Sequence, residues 1–353
     1  MENLHLILTV DYEVFGNGSG CVNKCVIEPV ERMMHIAETF YAPLTFFVEA
    51  MEFQAMHGTK QFREASIKVS DQIKSAVKNG HDAQLHLHPQ WTNARLNESM
   101  NWTLDMSRWR IGDITANEVR YLISEGKAWL ESICCLASST YCCFAFRAGG
   151  WCIQPSDLVI SALRDLGFCI DSTVAPCLYN APKGEWSDFR NAPNLPFWNV
   201  SDDVCQNSDA GLIEVPIVTG KIGRLSHLSA LIHSRRSGTF GLSPGCVGSY
   251  IGPDGRSGAI MTKLSKLTQL GHVMLNFSTM PAHILITLTN QWIEKNRNAL
   301  SPFPIVAIAH TKNFTPASES SLREYLFWAR DEGIIFSTFK QWLDAINNAK
   351  TVS

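Results

Sequence analysis

Apolar residues along this chain fall into short runs that alternate with stretches of helical spacing. Leu4 to Tyr12 is an apolar run that predicts a strand. Pro29 opens a helical stretch through Phe40, with Val30, Met33, Met34 and Ala37 on one face. Leu44 to Val48 predicts a second strand. Lys60 to Asn79 has helical spacing and stops at Gly80, and Ala83 to His88 is a third strand. Trp91 to Asp113 mixes aromatics with charges and reads as a long functional loop. Thr115 to Glu118 forms a capping box that starts a helix running toward Leu136. Further on, strands are predicted at Cys142 to Arg147, Phe168 to Asp171, Leu212 to Val215, His272 to Phe277, Ile305 to Ala309 and Ile334 to Ser337. Helices are predicted at Pro155 to Leu166, up to Leu270, and at Ala282 to Asn298, Ser318 to Glu332 and Phe339 to Asn347. Residues 172–210 read as irregular and 218–256 as a long excursion.

Strands that alternate with helices predict a parallel sheet covered by helices. Seven or eight such units favour a closed barrel over an open doubly wound sheet. No repeat, low-complexity segment or linker interrupts the 353 residues, so one domain over 1–353 is expected. No phosphate-binding glycine pattern follows a strand, which leaves nucleotide binding without support.

Composition narrows the class. Hydrophobic residues make up 45% and charged residues 18%, enough apolar material for a large core. The formal net charge is -3 with both signs mixed, so neither a nucleic-acid footprint nor a polybasic membrane patch is expected. The opening apolar run is too short to span a membrane and lacks the flank and cleavage site of a signal peptide. A cytoplasmic protein that starts near Met1 and has no transmembrane segment is expected. The eleven cysteines are an odd number and include two neighbouring pairs, Cys134-Cys135 and Cys142-Cys143. They are expected to be reduced and mostly buried. Cys21 and Cys25 have ligand-like spacing but no second pair close by in sequence.

The chemistry lies at strand ends. In Ala83-Gln84-Leu85-His86-Leu87-His88-Pro89 side chains alternate, so His86 and His88 share a face and Pro89 ends the strand. In a parallel barrel that end is the mouth where active sites form. Two imidazoles on one face are placed to share a cation. By the same rule Asp11 and Glu13 share a face at the end of the first strand. Buried carboxylates need a counter-charge, which a divalent ion held by the histidines would supply. One carboxylate would complete a His, His, carboxylate site, and the other would be free to act as general base.

These residues resemble the polysaccharide deacetylases with a NodB-homology domain. Thr9-Val10-Asp11-Tyr12-Glu13 is similar to that family's Thr-Phe-Asp-Asp-Gly motif. Gly80 to Pro89 is similar to its histidine motif, with the pair spaced two apart instead of four. Phe146-Arg147-Ala148-Gly149-Gly150-Trp151 resembles its Arg-x-Pro-Tyr motif. Leu212 to Pro216 resembles the strand before its fourth motif, and His310 falls where its late histidine stands. The matches keep their order from residue 9 to 311.

The resemblance implies a single distorted parallel (β/α)7-type barrel with long loops at the C-terminal mouth. Its motif-bearing core would cover about residues 4–312, and helices over 318–348 would complete it. It implies Asp11 as catalytic base, Glu13, His86 and His88 as metal ligands, Arg147 as the partner that orients Asp11, and His310 as general acid. Asp11 and Glu13 are open to exchange of roles. The metal is one divalent ion: zinc first, with iron, cobalt and nickel also matching the ligand types. Trp91 and Trp151 are candidates for a sugar-binding groove, and backbone N–H groups at Gly149 and Gly150 for an oxyanion site. Asp171 is a candidate supporting residue near the mouth. The activity implied is hydrolytic removal of an acyl group, N-acetyl first, from an acetylated sugar, glycolipid or nucleotide-linked sugar. A small-molecule C–N amidohydrolase and a catalytically silent carbohydrate-binding protein are the alternatives. Oligomeric state is not legible.

Overall fold

The apolar run near the start of the chain becomes an inner strand of the main sheet. β1 (Leu4–Tyr12) is buried at every position, as expected of a strand with parallel neighbours on both sides and helices outside. A computed structural model describes residues 3–179, 187–236, 271–299 and 302–352. After β1, a π-helical turn (Asn23–Ile27) leads into α1 (Glu28–Thr39), with Pro29 in its first turn. β2 (Leu44–Glu49) runs directly into α2 (Ala50–Gly58), and α3 (Arg63–Lys78) follows. β3 (Asp82–Leu87) carries the first histidine.

The aromatic loop after β3 holds a small hairpin of β4 (Arg95–Leu96) and β5 (Trp102–Thr103), with one 3-10 turn before it and two after. α4 (Ala116–Cys134) begins at the capping box, which is formed in both directions between Thr115 and Glu118. Next come β6 (Ala145–Ala148), α5 (Asp157–Asp165), β7 (Ile170–Asp171), β8 (Trp198–Val200) and β9 (Leu212–Glu214). β10 (Thr219–Lys221), α6 (Arg224–Arg236), β11 (His272–Met274) and α7 (Ala282–Lys295) then lead to β12 (Phe303–His310). α8 (Pro316–Asp331), β13 (Ile335–Phe336) and α9 (Phe339–Val352) follow.

The main sheet has the order β12-β1-β2-β3-β6-β7-β9-β8, with β13 paired to the lower part of β1. Seven of these strands, β12 through β9, are mutually parallel; β8 alone joins antiparallel to β9. The sheet curls. Bridges from Ile217 to Val306 and from Asn276 to Ile308 carry the chain beyond β9 round to β12. The result is a mixed α/β fold of distorted (β/α) barrel type, as the alternation of elements predicts. Among the described residues no helix is long and apolar enough to cross a membrane.

Several expectations need correction. The helix predicted from Lys60 starts at Arg63, and α2 before it was not anticipated. α2 follows β2 without a loop, so no turn sequence marks its start. The strand expected from Cys142 begins at Ala145. The 172–210 segment contributes β8, and the excursion after residue 218 contains β10 and α6. The strand expected over His272 to Phe277 splits, because His272–Met274 pairs with β10 while Asn276 bridges to β12. The helix expected to reach Leu270 lies outside the described residues. No disulfide joins the described cysteines, but Cys135, Cys142 and Cys169 are exposed instead of buried.

Candidate metal centre

Strand register assembles the site. Asp11 on β1 pairs with His310 on β12, Glu49 on β2 with His86 on β3, and His86 with Arg147 on β6. All of these residues stand at the C-terminal ends of parallel strands. Alternation then turns His86 and His88 to one side, with ring centroids 4.9 Å apart. Glu13, one residue past β1, reaches the same place. Its Oε2 lies 3.7 Å from His86 Nε2 and 3.4 Å from His88 Nδ1.

These three atoms meet the test of a cation site. The His86 ring has its Nδ1 2.9 Å from the Arg147 carbonyl. A carbonyl only accepts, so Nδ1 carries the proton and Nε2 of the neutral ring presents a lone pair toward Glu13. His86 Nε2 and His88 Nδ1 are both buried without a hydrogen-bond partner. Orphaned buried nitrogens are costly unless something occupies the space between them. Glu13, His86 and His88 form one group whose ligand atoms lie within 4.8 Å of one another; Asp11, Glu13 and His310 form a second. Burial drives His88 down to about 3, so its ring is neutral across the physiological range, as a ligand requires. Burial also acts to lower His86, but Asp11, Glu13 and Glu49 around it hold it above the ordinary histidine value.

Beside this group lies a second set of contacts. Asp11 Oδ1 accepts from Arg147 Nη1 at 2.7 Å, and His310 Nε2 lies 3.4 Å from Asp11 Oδ2. Arg147 is itself held on every side. It donates to Thr9 Oγ1, to the Ser172 carbonyl and to Ser172 Oγ, and its guanidinium lies over the Phe47 ring. Burial alone would raise the Asp11 carboxyl, but Arg147, His86 and His310 keep it below the ordinary aspartate value. His310 is lowered by burial and so rests neutral.

Residues the sequence reading did not anticipate complete the surroundings. Lys312 donates to Glu13 Oε1 at 2.7 Å and to the Val14 carbonyl at 2.9 Å. Glu13 thus has a resident counter-charge on one oxygen and faces the histidines with the other. Opposed by burial, Lys312 and His88 still hold Glu13 well below the usual carboxylate range. Glu49 Oε1 accepts from the His88 backbone at 2.8 Å, and its other oxygen accepts from the Glu52 backbone, capping α2. Burial pushes Glu49 up to about 8. Glu52 accepts from the Val14 backbone at 3.0 Å, which ties the end of β1 to α2. Glu49 was within reach of sequence, since it follows an apolar strand as Asp11 does. Lys312 lies in a turn, where no periodicity points to it.

The remaining candidates divide. Trp151 is half-buried with its ring 5.8 Å from His310, at the site. Trp91 is buried against Trp102, so its ring face is not open to a ligand. Trp109, unanticipated, packs on His88 instead. A Cβ on Gly149 would fall 2.4 Å from the His88 ring, so this glycine makes room for the imidazole. Gly150 has φ +60, which favours glycine at that turn. Asp171 is buried beside Glu214, its register partner, and accepts from Thr173 Oγ1. Cys25 and Cys21 are linked through their backbones in the π-helical turn, and neither belongs to a metal-ligating group among the described residues.

Comparison with known proteins agrees with the fold. No family profile matches the chain, and no curated protein matches it by sequence. Among solved structures it is similar to a protein from Mycobacterium smegmatis provisionally assigned as a polysaccharide deacetylase. That match has a TM-score of 0.51 and 14% identity, covering 99% of this chain and 91% of that one. It is also similar to a PuuE allantoinase (TM-score 0.48, 11% identity, 96% and 88% covered). A further likeness is to a protein from Pseudomonas aeruginosa also provisionally assigned as a polysaccharide deacetylase (TM-score 0.47, 11% identity, 96% and 89% covered). The first of these likenesses establishes a fold of the NodB-type polysaccharide deacetylase kind.

Proposed function

We propose that this chain is a metal-dependent hydrolase that removes an acyl group, N-acetyl first, from a sugar or glycoconjugate. One observation carries the reading. Two buried histidine nitrogens without hydrogen-bond partners, His86 Nε2 and His88 Nδ1, converge with a Glu13 carboxylate oxygen next to an Asp11–His310 pair held by Arg147. Glu13, His86 and His88 would hold the ion. Zinc suits that donor set, and iron, cobalt or nickel match it too. When bound, the ion supplies a Lewis acid for the acyl carbonyl and makes water more acidic at neutral pH.

The chain's own residues do the rest. Arg147 occupies Oδ1 of Asp11 and keeps the carboxylate ionised, leaving Oδ2 to take a proton from the attacking water. His310 starts neutral, so the proton it delivers is one it first receives. Its Nε2 is 3.4 Å from Asp11 Oδ2, the nearest source. His310 then protonates the departing nitrogen or oxygen. Trp151 stands beside His310 and offers an aromatic wall to a sugar ring.

The test measures metal content together with acetate release from an acetylated amino sugar, in wild type and in His86→Ala, His88→Ala and Asp11→Asn. The reading expects about one ion per chain in wild type, its loss in both histidine variants, and retention of metal without acetate release in Asp11→Asn. A wild type that binds no divalent ion under any condition would sink the reading and move a silent carbohydrate-binding protein to the front.

A further inference from the structure

A second surface stands apart from the site. α6 (Arg224–Arg236) faces the wrong way for an ordinary surface helix. Leu225 is 84% exposed, Leu228 50% and Ile232 42%. Their spacing of three and four puts all three on one stripe. Ser226, His227, Ser229, Ala230 and His233 are half-buried, and Ala230 packs against the core. Four of these five are polar, while the large aliphatic side chains of Leu225, Leu228 and Ile232 point to solvent. A contiguous exposed apolar stripe of this kind marks an interaction face.

Charge identifies the partner. Of the chain's 30 Lys and Arg and 33 Asp and Glu, seven and one respectively fall between residues 215 and 293, and the single acid is Asp254. The helix contains Arg224, Arg235 and Arg236 and no acid. The net charge of -3 therefore hides a segregated distribution: one basic stretch in an otherwise acidic chain. Leucine and isoleucine flanked by arginines, with no carboxylate to repel phosphate, is the chemistry of a helix that lies in the headgroup region of an anionic bilayer. A second copy of this chain would bring the same basic stretch against itself.

We propose that α6 docks this protein onto an anionic lipid surface. Leu225, Leu228 and Ile232 enter the boundary between headgroups and acyl chains, and the exposed Arg224 meets lipid phosphates. The placement bears on the site. Ser229 Oγ lies 3.5 Å from His283 Nε2 in the first turn of α7. α7 follows Ser278, whose Oγ accepts from the His310 backbone at 3.2 Å. Taken with the deacylase reading, on which this clause rests, docking favours a lipid-linked acylated sugar as substrate.

The experiment spins the full chain with vesicles of phosphatidylcholine and phosphatidylglycerol in equal parts, and with phosphatidylcholine alone. It is repeated for the Leu225→Ser, Leu228→Ser, Ile232→Ser triple variant and for Arg224→Glu. Pelleting is expected with the mixed vesicles and not with the neutral ones. The partition coefficient should fall about tenfold or more in the triple variant and at about 0.5 M salt, and by less in Arg224→Glu. An unchanged melting temperature verifies the fold of each variant. Equal pelleting on both vesicle types, unchanged pelleting of the triple variant, or none at all overturns the proposal. A dimer in sedimentation velocity that the triple variant breaks assigns the face to a second copy and overturns it as well. The vesicles carry no substrate, so this outcome is independent of acetate release from a water-soluble acetylated sugar, which tests the deacylase reading alone.

Discussion

The imidazole of His88 fits a slot that only a glycine at position 149 leaves open, with Trp109 packed on it. Such packing decides which nitrogen is offered to a ligand, since Nδ1 is turned to Glu13. Glu13 in turn is oriented by Lys312 through its other oxygen. Outer partners of this kind typically contribute 10–100-fold to metal affinity. Lys312→Met is therefore expected to weaken binding by about that factor, read by competition with a chromophoric chelator; unchanged affinity would make the lysine a bystander. Protonation gives a second check. His86 is held above the ordinary 6.5, and a protonated ring cannot ligate. Apparent metal affinity should be full above that raised value and fall as pH drops through it, by about tenfold per pH unit while one proton competes. His88, at about 3, adds nothing to this slope near neutrality. A flat affinity profile between pH 8 and pH 6 would count against His86 as a ligand.

At the scale of elements, strand ends supply the chemistry and helix ends hold it in place. Glu49 closes β2 and caps α2 with one carboxyl while its other oxygen fixes the His88 backbone. A residue with local geometry of its own, the helix cap, thus determines where a side chain on the next strand stands. The capping box at Thr115 is the simpler case: it starts α4, and its Glu118 also accepts from Arg108 Nη1. Thr115→Ala is expected to lower stability by about 1 kcal/mol in denaturant unfolding, with metal content unchanged. A loss much beyond 2 kcal/mol would mean that the threonine does more than cap. The cap and α4 were legible because a capping box involves only residues three apart. α2 was not, because nothing in Ala50 to Gly58 separates it from the strand before it.

Across the whole molecule, parallel register brings together residues that lie up to about 300 positions apart. Asp11 meets His310 because β1 lies beside β12, and it meets Arg147 because the sheet curls. The closing strands are the least regular part: Ile217 and Asn276 reach β12 by single bridges, in keeping with a distorted barrel. An ion that bridges β1 and β3 through Glu13, His86 and His88 should stabilise the folded chain as any ligand of the native state does. At a thousandfold excess over Kd that is about 4 kcal/mol. Treatment with a chelator should accordingly lower the melting temperature in calorimetry, and re-adding the divalent ion should restore it. No change on chelation would argue that nothing bridges these strands.

What the sequence determined by itself was everything governed by short-range periodicity. The strand–helix alternation, the shared face of His86 and His88, the pairing of Asp11 with Glu13 and the capping box all follow from spacings of two to four residues. Only the tertiary structure decided what those faces meet. It placed Arg147 on Asp11, set Lys312 on Glu13, buried Trp91, gave Gly149 its task beside His88 and turned Leu225 and Leu228 of α6 outward. None of these is encoded in a local period, because each depends on which distant strand or helix packs opposite, and that is settled by sheet register and the closure of the curl.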